Sequence, residues 1–206
     1  MRLFYVPDAC SLSPHIVLRE LGVPFKLDRL DLKAGKKTQA GEDYVTKINP
    51  KGYVPALELD DGTILTEGAV IVQYLADSKP EAKLAPKNGT LERVRLQEWL
   101  VFIATELHKG FSPLYSPKAS DEFKTFWKEN KVYPRFDVLA RGLEGKKYLM
   151  GEDFTVADAY AFYTLRAWQK SLQGELKKWP VLAQYYARIA ERPSVRAALE
   201  AEAASA

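Results

Sequence analysis

Cysteine, histidine and methionine are scarce: one, two and two among 206 residues. A single thiol excludes an internal disulfide framework and suits a reducing compartment, so a cytoplasmic location is expected. One cysteine with two histidines is too poor a ligand set for a dedicated zinc site, and no metal is expected. A large excess of charge is also missing. Thirty Lys and Arg face 27 Asp and Glu, for a formal charge of +3, and the basic residues are scattered, so nucleic acid is not an expected partner. No apolar run nears the roughly 20 residues that span a bilayer, so no membrane partner is expected. The first apolar run is broken by Pro7 and Asp8, which argues against a secretory leader. What remains, 47% hydrophobic and 28% charged residues, is the composition of an ordinary globular chain, long enough for one large or two small domains.

Arg2 to Val6 reads as a strand and His15 to Leu21 as a helix stopped by Gly22. Phe25 to Leu32 then reads as a second, half-buried strand. Strand, helix and strand within about 30 residues form a βαβ unit with a parallel pair. Lys33 to Lys47 is a polar loop with one short helix near Glu42 to Thr46, and Asn49-Pro50-Lys51-Gly52 is a turn. Asp60-Asp61-Gly62 between two apolar runs predicts a hairpin. Thr66 can cap a helix from Glu67 to Ala76.

Residues 80–89 are rich in Pro, Lys and Gly without a periodic pattern and read as a linker between domains 1–79 and 90–206. From Thr90 the pattern is helical. Leu96, Leu100, Ile103 and Leu107 keep 3.6-residue spacing in a long helix that Pro113 and Pro117 end. A second helix over about Asp121 to Leu143 carries a break at Pro134. Thr155 with Asp158 forms a capping box for a helix apolar on nearly every face. Pro180 and Pro193 open the last two helices, and residues 197–206 form an Ala/Glu-rich tail.

Cys10 is the residue with most chemical promise. It falls between the first strand and first helix, where Ser11 or Ser13 can cap and Pro14 is tolerated. Unpaired N–H groups and the positive helix end stabilise a thiolate there. A buried inert cysteine also fits; the strand–turn–helix setting favours a functional thiol.

The segments Ala9-Cys10-Ser11-Leu12-Ser13-Pro14-His15, residues 49–57 (NPKGYVPAL), Leu65-Thr66-Glu67-Gly68, Glu106-Leu107-His108-Lys109-Gly110 and Phe154-Thr155-Val156-Ala157-Asp158 carry a resemblance. The chain resembles the cytosolic glutathione transferases, in detail their bacterial, cysteine-bearing beta class, over essentially its whole length. The resemblance implies an α/β thioredoxin-like N-terminal domain (β-α-β-α-β-β-α) followed by an all-α C-terminal domain. It also implies a cytoplasmic homodimer using glutathione as cosubstrate and conjugating it to small hydrophobic electrophiles.

It further implies catalytic roles for Cys10 and His108, the latter near the glutathione sulfur, and a cis Val54-Pro55 bond whose main chain pairs with the cysteinyl unit of glutathione. Ser11, Lys36, Val54, Pro55, Glu67, Gly68, Thr105 and Glu106 are the glutathione-binding residues it implies. Among them Lys36 serves the glycyl carboxylate, and Glu67 with Gly68 the γ-glutamyl ammonium and carboxylate. Val101 departs from the Asn that relatives often carry to reach the partner subunit's glutathione. His15 reads as a packed helix residue. Phe111, Tyr115, Tyr163 and Trp168 are candidates for an electrophile pocket or for core. Cys10-Ser11-Leu12-Ser13 has the C-x-x-S form of one-thiol redox sites. A mixed disulfide between Cys10 and glutathione is therefore expected beside conjugation. A glutathione-dependent thiol-disulfide oxidoreductase or peroxidase, and a non-catalytic hydrophobic-ligand-binding protein of the same fold, are the alternatives.

Overall fold

The computed structural model describes residues 1–204. Its chain divides into two compact units: Met1–Lys83 together with the chain from Glu191 onward, and Leu84–Ala190.

In the first unit the order is β1 (Arg2–Tyr5), α1 (Leu12–Leu21), β2 (Lys26–Arg29), α2 (Tyr44–Lys47), β3 (Ala56–Glu58), β4 (Ile64–Thr66) and α3 (Gly68–Ser78). The strands form a four-stranded sheet in the order β2-β1-β3-β4. The βαβ expectation holds, since β1 and β2 are parallel with Leu3 opposite Leu27. The hairpin holds too: β3 is antiparallel to β1 and β4, with Leu57 opposite both Leu3 and Leu65. Gly62 makes the hairpin turn possible at φ 84°, a region that a side chain disfavours. Alternation puts Phe4 and Ala56 on one face with Leu30 and Tyr44. Leu3 and Leu57 are buried on the other, where α3 packs.

Two caps differ from expectation. The first helix begins at Leu12, and neither serine caps it. Ser11 is buried and already helical in its own φ and ψ, while its hydroxyl bonds the main chain of Val6. Thr66 is the last residue of β4, and Glu67 at φ 69° takes the N-cap position without a side-chain cap. Both departures arise because tertiary partners claimed groups that local chemistry would have used.

The second unit runs through α4 (Leu91–Phe102), α5 (Asp121–Trp127), α6 (Tyr133–Gly142), α7 (Val156–Lys170) and α8 (Pro180–Ala190). Leu96, Leu100, Ile103 and Leu107 are all buried as the spacing predicts. The helix that carries them widens into a π-turn over Ile103–His108, then tightens to 3-10 geometry over Lys109–Tyr115. Another π-turn, Lys128–Val132, precedes the expected break at Pro134. The α7 capping box is present, and this helix is buried on nearly every face. Trp168 meets Phe111 and Phe136 at ring-centroid distances of 5.8 and 5.2 Å. Phe111 and Trp168 are thus core residues, and each is almost wholly buried.

α9 (Pro193–Ala204) packs on α1 within the first unit. Arg192 makes a bidentate ion pair with Glu20 on α1 at 2.7 and 2.9 Å, and the Ser194 hydroxyl donates to the same carboxylate. Burial pushes the Glu20 carboxyl up, but Arg192 and Ser194 outweigh it and hold it below the usual range. Deeper along α9, the buried Glu202 takes the Nδ1–H of buried His15 at 3.1 Å and the Asp8 N–H at 3.0 Å. Arg19 Nε donates to the other His15 nitrogen at 3.3 Å. A carboxylate only accepts and a guanidinium only donates, so His15 carries its proton on Nδ1. Glu202→Ala leaves one buried donor, His15 Nδ1, and one half-buried donor, the Asp8 N–H, without that acceptor. It is expected to lower stability by about 2 kcal/mol in denaturant titration, and an unchanged midpoint would rule the network unimportant.

Candidate active site

In the first unit four segments carry predicted site residues or position them. After β1, Asp8 takes a left-handed conformation at φ 60°. Ala9 N–H then bonds Val6 O at 3.2 Å and Leu12 N–H bonds Ala9 O at 3.0 Å, which folds Cys10 tightly against the start of α1. Cys10 is partly exposed, and its thiol donates to Val54 O at 3.1 Å. Val54-Pro55 is a cis peptide. The turn before it hangs on the Tyr53 carbonyl, which accepts from Tyr44 Oη at 2.7 Å and Asn49 Nδ2 at 2.8 Å. Burial pushes the Tyr44 phenol up to about 12, so Tyr44 keeps the proton it donates.

Lys36, also left-handed at φ 63°, folds onto the same turn and donates to Gly52 O at 2.9 Å. A side chain at residue 52 would meet this lysine, since a Cβ there lies 3.0 Å from Nζ. Glu67 stands at the N-terminus of α3 with Gly68 behind it, and a Cβ on Gly68 would lie 3.6 Å from the Pro55 ring. A non-glycine residue in this backbone region costs about 1 kcal/mol or more, and such strain gathers at functional sites. The Glu67 carboxylate holds Lys51 Nζ at 2.6 Å, and Lys51 also reaches Thr66 Oγ1 at 3.3 Å. Both partners are largely exposed, so the pair is weak and able to open for a ligand.

Cys10, Val54, Pro55, Gly68 and Glu67 are thereby brought into one contiguous surface, with Lys36 on the adjoining turn. Ser11 is the exception, since its hydroxyl is buried and spent on Val6, where it locks the strand-to-helix turn. In the sequence Lys51 reads only as part of a turn. Its spacing of 16 residues from Glu67 gives no local signal.

The second unit places Thr105, Glu106 and His108 on the π-turn. Such turns are rare and gather at functional sites. Thr105 Oγ1 donates to Val101 O at 3.0 Å, and Glu106 is paired with Arg135 at 2.9 Å. Both residues border a groove of about 520 Å³ with Val94, Val101 and Phe102. His108 faces the other way, into α7: Nδ1 lies 2.9 Å from Tyr160 Oη. Tyr163 meets its ring edge-on at 5.2 Å. Burial, then the Lys109 charge, pushes the His108 imidazole down to about 4.

In the unfolded chain this histidine titrates near 6.5, so the unfolded state binds the extra proton first. Stability linked to His108 is therefore intact above about pH 6.5 and lost as pH falls through about 4. Replacing His108 by Gln is expected to flatten the fall in unfolding free energy across that window. An unchanged slope would show the ring to be as easily protonated folded as unfolded.

No helix of the described residues is long and apolar enough to cross a membrane, and no cluster of three or more metal-binding side chains occurs among them.

Residues 9–78 match the family model for the glutathione S-transferase N-terminal domain, and residues 102–193 match that for the C-terminal domain. Glutathione S-transferase GstA of Escherichia coli O157:H7 is 45% identical over 202 residues, covering 98% of each chain. The bacterial beta-class glutathione S-transferase of Sphingomonas chungbukensis has a TM-score of 0.89 at 46% identity, again over 98% of each chain. A sphingomonad glutathione S-transferase solved with glutathione has a TM-score of 0.91 at 44% identity, over 98% of this chain and 99% of that one. With both family domains matched and the fold shared from end to end, the chain belongs to the glutathione S-transferase family and is of the bacterial beta-class type.

Proposed function

We propose that this transferase conjugates reduced glutathione to small hydrophobic electrophiles in the cytoplasm, and that Cys10 also exchanges with glutathione disulfide. The partly exposed Cys10 thiol, hydrogen-bonded to Val54 O beside the Glu67 and Lys36 loops, is the observation that carries the reading. In conjugation the glutathione thiolate attacks an electrophilic carbon, a C–S bond forms and the leaving group departs with its electron pair. In exchange the Cys10 thiolate attacks one sulfur of glutathione disulfide, forming a Cys10–glutathione disulfide and releasing one glutathione thiolate. The main chain of Val54 at cis Pro55 pairs with the cysteinyl unit, and Glu67 takes the γ-glutamyl ammonium. The N–H groups from Gly68 take its carboxylate, Lys36 takes the glycyl carboxylate, and His108 supplies a hydrogen bond to sulfur.

The protein acts as a homodimer. Leu91, Val94 and Val101 on α4, and Val70 and Tyr74 on α3, are large apolar side chains left exposed. A second copy covering them removes that area from water. The groove that Thr105 and Glu106 border is lined by Val94 and Val101 of α4, and Thr105 and Glu106 serve in glutathione binding.

Mass spectrometry after incubation with glutathione disulfide, beside a conjugation assay on a chlorinated aromatic, tests the chemistry. One glutathionyl adduct on Cys10 with measurable conjugation is the expected result. A protein inactive in both that still binds hydrophobic dyes is a binding protein, and exchange without conjugation makes it an oxidoreductase. Sedimentation showing a monomer at micromolar concentration would remove the dimer.

A further inference from the structure

A neutral imidazole protonates one of its two nitrogens, and what each nitrogen meets decides which. For His108 the deciding neighbour is the Tyr160 hydroxyl, 2.9 Å from Nδ1. A phenol, with an ordinary pKa of about 10, is a far stronger hydrogen-bond acid than an imidazole N–H. The bare imidazole nitrogen is likewise a far stronger acceptor than a phenolic oxygen. The favoured alignment is therefore Oη–H donating to Nδ1, which leaves the ring proton on Nε2. Packing holds the ring for this bond. Tyr163 meets it at 88° and 5.2 Å, Tyr160 at 70° and 5.9 Å, and both tyrosines are buried on α7. Burial also keeps the ring neutral over the range of about pH 5 to 8, so a tautomer is the state that matters.

We propose that Tyr160 is a positioning residue that holds His108 as its Nε2–H tautomer, so that His108 offers bound sulfur a hydrogen-bond donor and not a base. The part concerning sulfur rests on the proposed function; the tautomer does not. A donor stabilises the glutathione thiolate once formed, and the thiol proton leaves to solvent. His15 shows that this chain uses the opposite device elsewhere, with Glu202 and Arg19 fixing the proton on Nδ1.

Heteronuclear NMR of the labelled protein, reading the two ring nitrogens of His108 separately, tests the tautomer without activity. The wild type is expected to carry its proton on Nε2, and Tyr160→Phe to show the Nδ1–H form in addition. A wild-type ring protonated on Nδ1, or a Tyr160→Phe ring unchanged, overturns the proposal. If Tyr160→Phe does not fold, the wild-type spectrum alone decides it.

Kinetics test the role. Tyr160→Phe is expected to lower kcat about fivefold, the value of one net hydrogen bond, with the KM for glutathione within about twofold. That loss is expected to vanish when His108 is already Ala. An equal loss in both backgrounds means that Tyr160 acts through packing and overturns the role. A wild type without glutathione chemistry defeats the functional reading, and the NMR result then judges the tautomer by itself.

Discussion

Cys10→Ala is expected to abolish thiol–disulfide exchange with glutathione while sparing much of the conjugation. The chain has no second cysteine, so no other side chain can take over the attack on a disulfide, and exchange falls to the uncatalysed background. Conjugation differs because its nucleophile is the sulfur of glutathione itself. What that step loses is one polar neighbour, a loss of about tenfold or less. The structural cost is small. The substitution removes one S–H donor to Val54 O at a partly exposed position and keeps the Cβ. A melting temperature within a few degrees of wild type is expected beside the two assays. Exchange that survives in Cys10→Ala would show that the thiol is a bystander. Conjugation lost along with exchange would instead make Cys10 indispensable to both reactions.

The largest loss of stability is expected from Asp158→Ala. This carboxylate is fully buried and takes four donors: Leu149 N at 2.9 Å, Thr155 N at 2.8 Å, Thr155 Oγ1 at 2.9 Å and Tyr185 Oη at 2.7 Å. Burial pushes the Asp158 carboxyl upward, and the bonds from Leu149, Tyr185 and Thr155 pull it back. Burial and then the Asp158 charge push the Tyr185 phenol well up, so Tyr185 keeps the proton it donates. Truncation strands four donors where no solvent reaches, each at about 1 kcal/mol or more, so a total above about 4 kcal/mol is expected. Asp158→Asn keeps an acceptor but turns an amide towards some of these donors, and falls between. Denaturant midpoints at constant slope measure both. A loss below about 1 kcal/mol for the alanine variant would mean that water or a rearranged loop replaces the carboxylate.

The Asp158 capping box was legible in the sequence because both of its partners lie within three residues, and local chemistry suffices. The same holds for the Asp61-Gly62 hairpin, the Gly22 stop, the βαβ parallel pair and the buried series Leu96, Leu100, Ile103 and Leu107. Cys10 and the Glu67 helix start were legible as turn chemistry sharpened by the resemblance to a family. The π-turns were not, because widening a helix by one residue leaves the apolar spacing almost unchanged.

The elements, and the loops that carry the chemistry, follow from local sequence. Which polar groups meet follows from tertiary packing. Asp8 and Glu202 are 194 residues apart, His108 and Tyr160 52, and Lys51 and Glu67 16. Packing also set the Ser11 hydroxyl on the main chain of Val6 and laid α9 against α1. The reason is physical: backbone preference is settled within a few residues, whereas a polar pair forms only where packing removes both groups from water together.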